Sequence, residues 1–254
     1  MKFLKVLLFL TLSVGFLTIT SASAQDQINY GLKIGMYNYQ MIGNESGRYN
    51  DIDVRIDIAQ WDIYKPRFPH ASVFFEHPIY SIPFVSLTTE LSYLKRYLFI
   101  TPIDYNPDSP FGPQSGLFFT NYRTFSFGIL PAIHLNRGLE TRVFAGYEVQ
   151  YFHHQDKTLH ASDFDDYWLQ SNRRRFEVAK KFVEENPMVP FVHHLAIGAE
   201  VKKWRFGLEV KYLMGLNSPL RSVKFNDEFT YPYRSYTNSL YYSLKFYFRK
   251  NEDN

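Results

Sequence analysis

The chain has 254 residues, a formal net charge of +3 and no cysteine, and Tyr, Phe and Trp make up 19% of it. This length suits one domain, which an all-β barrel can occupy alone, and the weak charge gives no electrostatic reason to expect nucleic-acid binding. Without cysteine there is no disulfide, thiolate nucleophile or cysteine-ligated metal, and the aromatic content exceeds what the core of a soluble enzyme needs.

The first 24 residues have the pattern of a secretory signal peptide. Lys2 and Lys5 form a basic start, residues 7–18 are mostly apolar, and Ala22-Ser23-Ala24 is a small-residue cleavage site. The apolar run is shorter than the roughly 20 residues that cross a bilayer as a helix. We therefore expect cleavage near Ala24, export, and a mature domain of residues 25–254.

About eight segments of the mature chain alternate between apolar and polar residues, as strands with two different faces do. Residues 204–215 show this most clearly, because Phe206, Leu208 and Val210 alternate there with Gly207 and Glu209. The segments are residues 30–37, 71–77, 85–93, 119–135, 142–151, 195–202, 204–215 and 239–249. Together they make about eight strands of roughly ten residues on average, the length that a tilted strand needs to cross a membrane.

The contents of the two faces distinguish a soluble barrel from a membrane barrel. A soluble barrel of the lipocalin type would direct its apolar face inward around a ligand. Here the polar face carries small residues such as Gly35, Gly146 and Gly198, which suit a crowded interior. The other face carries bulky aliphatic residues with aromatic residues near the strand ends, which is typical of a lipid-facing surface.

The connections between the predicted strands alternate between long and short, as they do in outer-membrane barrels. Residues 78–84, 136–138 and 202–203 form short connections, whereas 41–69, 99–117, 153–190 and 217–235 are long. The sequence therefore predicts an all-β, eight-stranded antiparallel up-and-down transmembrane β-barrel with long extracellular loops and short periplasmic turns. Residues 52–61 also alternate, and we interpret them as an extension or hairpin above the membrane, because a ninth spanning strand would make the number odd.

The predicted inward face carries charges of both signs. It has about five acids and five bases, namely Glu76, Glu90, Glu148, Glu200 and Glu209 with Lys33, Arg142, Arg205, Lys211 and Lys245. Side chains can fill an eight-stranded interior, and unpaired charges there are costly. We expect an ion-paired lumen without an open pore; acid–base catalysis by a carboxylate pair such as Glu200 and Glu209 is the alternative.

Two histidine doublets flank the longest predicted loop. His153 and His154 end one strand, and His193 and His194 begin the next. We expect antiparallel pairing to place the two doublets side by side at the outer rim. These imidazoles then form a candidate site for Zn, Cu or Ni, with His160 in the loop as a further ligand. The alternative is that they are amphipathic interface residues without a metal.

The same loop contains a predicted helix that begins after Ser171 and ends at Asn186-Pro187. Phe176, Ala179, Phe182 and Val183 share one of its faces. The remaining surface is basic and includes Arg173, Arg174, Arg175, Lys180 and Lys181. Such a helix can lie on anionic lipopolysaccharide, cap the barrel mouth or face solvent.

Four short segments of the predicted strands are similar to those of one family of membrane barrels, namely YGLKIG at residues 30–35, FFE at 74–76, TELSY at 89–93 and VFAGYE at 143–148. Through them the chain resembles the PorT-like outer-membrane barrels of Bacteroidetes, over nearly the whole mature chain. The resemblance implies an eight-stranded barrel in the outer membrane and, through the namesake of the family, an association with type IX secretion.

The sequence gives no specific sign of an enzyme. It contains no Gly-x-Ser-x-Gly nucleophile elbow and no metalloprotease histidine pair. We expect a non-enzymatic barrel without cofactors that acts through its loops or as an envelope or secretion component, in contact with outer-membrane lipid, lipopolysaccharide and other envelope proteins. The alternative is a lipid A or phospholipid hydrolase or acyltransferase, for which His160-Ala161-Ser162-Asp163 is the nearest fragment.

Overall fold

The computed structural model describes most of residues 25–254. The described residues are 28–42, 46–49, 52–55, 68–79, 82, 84–104, 114–115, 118–136, 140–155, 160–161, 173–186, 188–220, 222–226, 229–232 and 236–248. The predicted signal peptide and its cleavage site lie outside them.

The described part of the chain is built from strands and one helix. The strands are β1 (Asn29–Ile42), β2 (Ser46–Tyr49), β3 (Ile52–Arg55), β4 (Phe68–Pro78), β5 (Val85–Asp104), β6 (Gln114–Ser115), β7 (Phe118–Asn136), β8 (Glu140–Gln155), β9 (His160–Ala161), β10 (Phe191–Lys203), β11 (Phe206–Gly215), β12 (Ser222–Asn226), β13 (Phe229–Pro232) and β14 (Tyr236–Tyr247), and the helix α1 is Arg173–Glu185. No described helix has the length and apolarity required to cross a membrane.

Eight long strands close into a barrel. Each pairs antiparallel with its neighbour in the order β1, β4, β5, β7, β8, β10, β11 and β14, and β14 pairs back onto β1. A closed barrel pairs every strand on both sides and leaves no edge exposed. This topology confirms the predicted eight-stranded antiparallel barrel.

The two ends of the barrel differ as predicted. At one end, called here the turn end, short connections join β4 to β5, β7 to β8 and β10 to β11. The long connections lie at the other end, called the loop end. There the β2–β3 hairpin pairs with the upper part of β5, with Ile52 opposite Asp104. Residues 52–55 thus extend the sheet above the barrel, as expected, and residues 56–61 lie outside the described part of the chain.

The barrel is apolar outside and polar inside. On the outside, Ile34 is 60% exposed and Leu208 is 67% exposed, whereas Lys33 and Glu209 on the inside are at most 1% exposed. Water would penalise such an outer surface, whereas hydrocarbon stabilises it. The distribution is therefore that of a barrel that crosses a membrane.

Two inward-facing glycines make room for larger neighbours. A Cβ atom at Gly198 would lie 2.7 Å from Cε2 of Phe144, and one at Gly207 would lie 2.5 Å from Oε1 of Glu200. Real Cβ atoms do not approach other groups so closely. These glycines therefore permit an aromatic ring and a carboxylate to fill the narrow interior.

We predict that an arginine on the lipid-facing surface destabilises the protein in proportion to its depth. Ile34 lies in the middle of the apolar belt and Leu135 lies at its turn-end border, and both are exposed. Ile34→Arg should lower the free energy of unfolding in lipid vesicles by about 2–4 kcal/mol, and Leu135→Arg by about 0–1 kcal/mol. Denaturant titration of both variants measures this, and equal small effects would contradict a membrane-spanning belt.

Candidate functional site

A continuous series of ion pairs fills the lumen from the turn end to its middle. Its nine members alternate in charge, in the order Glu76, Arg142, Glu200, Lys245, Glu209, Lys33, Glu90, Lys211 and Glu148. None is more than 6% exposed. Each carboxylate inside the series contacts two cations. We call these nine residues the lumen ion-pair series.

The contacts are short enough for charge-assisted hydrogen bonds. Arg142 lies 2.7 Å from Glu76 and 2.6 Å from Glu200, and Lys245 lies 2.8 Å from Glu200 and 2.5 Å from Glu209. Lys33 lies 2.9 Å from Glu209 and also contacts Glu90. Lys211 lies 3.2 Å from Glu90 and 2.7 Å from Glu148. The Tyr247 hydroxyl donates a further hydrogen bond to Glu200.

The strand register explains why these charges alternate across the lumen. Lys33 stands opposite Lys245 in the β1–β14 pair, and Glu200 stands opposite Glu209 in the β10–β11 pair. Like charges in cross-strand positions repel. Here Lys245 contacts both Glu200 and Glu209, and Lys33 contacts Glu209. The basic pair and the acidic pair therefore compensate each other.

The prediction that Arg205 faces the lumen is wrong, and a different arginine that was not predicted faces it instead, above the ion pairs. Arg205 lies in the turn between β10 and β11 and is exposed, because the turn falls at Trp204 and Arg205 rather than at residues 202–203. Trp204 adopts the left-handed conformation there, with φ 59°. Arg96 on β5 instead faces the lumen and is 3% exposed.

Above the ion pairs, the lumen is filled by neutral polar and aromatic side chains together with Arg96. Arg96 donates a hydrogen bond of 3.1 Å to the Ser239 hydroxyl, and Nε2 of His194 lies 3.2 Å from the Thr237 hydroxyl. The rings of Tyr37 and Tyr241 stack with centroids 5.0 Å apart. This layer continues the packed interior toward the loop end.

The helix α1 closes the loop end. Ala179, Phe182 and Val183 are buried, and they pack in one cluster with inward-facing residues from the upper ends of the strands. The strand members of this cluster are Ile100, Phe118, Tyr122, Phe152 and Val192. The sequence allowed three positions for this helix, on lipopolysaccharide, over the barrel mouth or in solvent. The structure shows it over the barrel mouth.

The outer surface of α1 is less basic than predicted. Arg175 is only 5% exposed and belongs to the buried side of the helix, which corrects its assignment to the basic surface. Arg173, Arg174, Lys180 and Lys181 are exposed, but Glu177 and Glu184 are exposed among them. Lys181 also lies 3.5 Å from Glu185 one turn away. The charges of this surface therefore largely compensate one another.

The prediction that the two histidine doublets lie side by side is wrong. The residue opposite His193 is Val149, and His153 lies four residues beyond it, about 13 Å along the strand. His153 and His193 face outward, whereas His194 faces the lumen; the side chain of His154 lies outside the described residues. Within the described part of the chain, no three His, Asp or Glu side chains are grouped to hold a metal ion.

A groove lies at the outward rim where β10 begins and β11 ends. Its volume is about 420 Å³, and its lining includes Phe191, His193, Asn217, Ser218 and Leu220. The Tyr147 hydroxyl hydrogen-bonds to Nδ1 of His193, and the Asn217 side chain accepts a bond of 2.7 Å from the His193 amide. No hydrogen bond between described residues joins His193 to Ser218.

Sequence reasoning missed Arg96 and this rim groove. A signal for Arg96 was present, because the alternation that places Glu90 and Ser92 inward continues to Leu94 and Arg96. The groove depends on which residues of β10 and β11 stand opposite each other, and the sequence pattern alone does not contain that register.

No protein-family model and no curated protein matches the chain. Among solved structures, it is similar to the attachment invasion locus protein Ail of Yersinia pestis, both in complex with the heparin analogue sucrose octasulfate and without it. The identities are 11% and 10% and the TM-scores 0.37 and 0.34, over 87% of this chain and 99% and 98% of those chains. The translocator domain of the autotransporter NalP from Neisseria meningitidis is 9% identical with a TM-score of 0.24, over 95% of this chain and 97% of that one. At these levels the barrel assignment depends on the strand pairing of the chain itself.

We predict that removing Lys211 alone destabilises the protein more than removing Lys211 together with its partner Glu148. Lys211→Met leaves the buried Glu148 without a cation and should lower the free energy of unfolding by about 3–5 kcal/mol. The double variant Lys211→Met/Glu148→Leu removes both charges and should lose less. Denaturant titration in lipid vesicles compares the two, and a double variant less stable than the single one would contradict the role of pairing.

Proposed function

We propose that the protein is a non-enzymatic outer-membrane barrel with a sealed lumen, and that it acts through its loop end in association with envelope proteins. The observation that carries this proposal is the double closure of the lumen, by the lumen ion-pair series below and by α1 above. In the part of the barrel that the structure describes, the filled lumen leaves no path for solutes, and we therefore assign the activity to the surface.

The location in the outer membrane is supported by the chain's own chemistry. An apolar belt surrounds a closed barrel, the long connections all lie at one end, and the sequence begins with a signal-peptide pattern. Long external loops and short periplasmic turns are typical of bacterial outer-membrane barrels. In this location the belt contacts membrane lipid, and the loop end faces the lipopolysaccharide leaflet.

The association with secretion comes from the resemblance to PorT-like barrels of Bacteroidetes. A barrel whose lumen is filled suits a component that binds other envelope proteins. Its partners in this proposal are secretion proteins that meet the loop end or the periplasmic turns.

The test is the secreted proteome of a deletion strain, of its parent and of the strain complemented with the wild-type gene. We expect the loss of many exported proteins and their return on complementation. If secretion is unchanged while the protein is found in the outer membrane, the secretion role is rejected and the sealed barrel stands.

A second candidate is lipid-modifying hydrolysis or acyl transfer at the rim groove. It is favoured by one observation, the presence of His193, Asn217 and Ser218 in one groove on the membrane-facing side. A serine nucleophile needs a base within hydrogen-bond reach, and His193 is bonded to Tyr147 instead. This missing contact is why we prefer the non-enzymatic function.

The same strains distinguish the two candidates. The non-enzymatic function predicts unchanged lipid A and phospholipid composition in the deletion strain, and full complementation by Ser218→Ala. A change in lipid composition that wild type reverses and Ser218→Ala does not would establish the enzyme.

A further inference from the structure

The rim groove is continuous with the lipid-facing surface. His193 lines it and faces outward, and the next outward residue of β10 toward the middle of the barrel, Leu195, is exposed in the apolar belt. Leu216, whose amide donates to the His193 carbonyl, is exposed as well. Membrane lipid that contacts the belt is therefore in a position to enter the groove.

Aromatic rings place the groove at the border of the apolar belt. Phe191, which lines it, stacks on Tyr151 with centroids 5.1 Å apart, and Tyr147 stacks on His193 at 5.9 Å. Aromatic side chains of membrane barrels lie at the interface between acyl chains and head groups. The carbonyl groups that join the acyl chains of a lipid to its head group lie at that same level.

Hydrogen bonds fix the walls of the groove. The Asn217 side chain accepts from the His193 amide at 2.7 Å and donates to the Phe191 carbonyl at 3.0 Å. The Val189 amide donates to the Pro219 carbonyl at 2.8 Å. The wall on β10 is thus tied to the wall that follows β11, so a ligand meets a groove that is already formed.

Two lining residues have a proton left to donate. When the Tyr147 hydroxyl donates to Nδ1 of His193, the neutral ring carries its own proton on Nε2, which no described residue accepts. The reverse direction would leave the Tyr147 hydroxyl proton without an acceptor among the described residues. The Ser218 hydroxyl accepts from the Leu220 amide at 3.4 Å, and its proton also remains for a ligand.

The rest of the lining is neutral and mainly apolar. As far as the structure describes it, the groove has no Lys, Arg, Asp or Glu side chain in its lining. Its volume of about 420 Å³ lies within the range of small-molecule sites, about 300–1,000 Å³. A phosphate or carboxylate would call for a cation. Neutral donors in an apolar groove instead match an uncharged carbonyl attached to a hydrocarbon chain.

We propose that the rim groove binds an acyl chain of lipid A, with Nε2 of His193 and the Ser218 hydroxyl donating to its ester carbonyl. The apolar lining contacts the chain beyond the carbonyl. Lipid A is the occupant because the loop end faces the lipopolysaccharide leaflet in the proposed location, on which this inference rests. The ester is held without being attacked, since no described base is hydrogen-bonded to Ser218.

The test measures lipid binding to the purified full-length mature protein by native mass spectrometry. The probes are lipid A, phosphatidylglycerol with ester-linked chains, and its analogue with ether-linked chains, which has no carbonyl. The variants are Ser218→Ala and His193→Phe, each of which removes one donor. The control is His153→Phe, the same change at an outward-facing histidine of this rim that does not line the groove.

Each variant should bind lipid A about fivefold more weakly than wild type, the factor that corresponds to one hydrogen bond of about 1 kcal/mol. His153→Phe should bind like wild type, and the ether-linked lipid should bind more weakly than the ester-linked one. Wild-type affinity in both variants, or equal binding of the two phosphatidylglycerols, would overturn the inference.

The lipid that the protein retains when it is extracted from outer membranes identifies the occupant. We expect lipid A on wild type and on His153→Phe, and less of it on both groove variants. Retention of phospholipid in its place would reject lipid A as the occupant. Because lipid surrounds the protein in the leaflet, a fivefold loss of affinity does not prevent complementation by Ser218→Ala.

Two further readouts distinguish failure of this inference from failure of the proposed function. If wild type does not insert into vesicles, as measured by protection of its strands from protease, the membrane location is wrong. If wild type releases fatty acid from lipid A and Ser218→Ala does not, the groove is hydrolytic and the non-enzymatic function is wrong. If wild type inserts, releases no fatty acid and binds lipid A no better than the groove variants do, only the present inference is wrong.

Discussion

Where a barrel is surrounded by hydrocarbon, its charged side chains must face the lumen, and there each one needs a partner. An eight-stranded interior is only wide enough to be filled by side chains, so water cannot replace a missing counter-ion. The lumen ion-pair series meets this requirement for its nine members, with contacts no longer than 3.2 Å between carboxylates and cations. A shift of one residue would exchange the inward and outward faces of a whole strand, so these pairs also determine the register of the barrel. Glycines such as Gly207 provide space beside the paired side chains.

The two ends of the filled barrel differ in the structures that they carry. The turn end holds short connections and an exposed turn at Trp204 and Arg205. The loop end holds α1, whose apolar face covers the barrel mouth. In the proposed function, contacts with other envelope proteins are made at the loop end, whereas the filled lumen contributes stability. A fold of this kind does not by itself define an activity.

The period-two alternation was sufficient to predict strand number, closure and the inward face, because each strand residue meets one of two very different environments. It failed where more than alternation was needed. Arg205 has the parity of an inward residue but lies in the turn, and Arg96 was missed because the assigned segment stopped at Tyr93. The histidine doublets required the pairing register, which places His193 opposite Val149. Arg175 lies at the border of the helix face, where tertiary packing decides burial.

The most direct test that the barrel is polar inside and apolar outside uses single introduced cysteines, since the chain has none of its own. Ser243 faces the lumen and its neighbour Leu244 faces outward. In vesicles, a nitroxide attached at Leu244→Cys should collide with oxygen dissolved in lipid and not with a water-soluble nickel complex, and Ser243→Cys should resist a water-soluble maleimide. Collision of the Leu244 label with the nickel complex, or modification of Ser243→Cys as fast as a cysteine at the exposed Lys180, would contradict a sealed barrel that faces lipid.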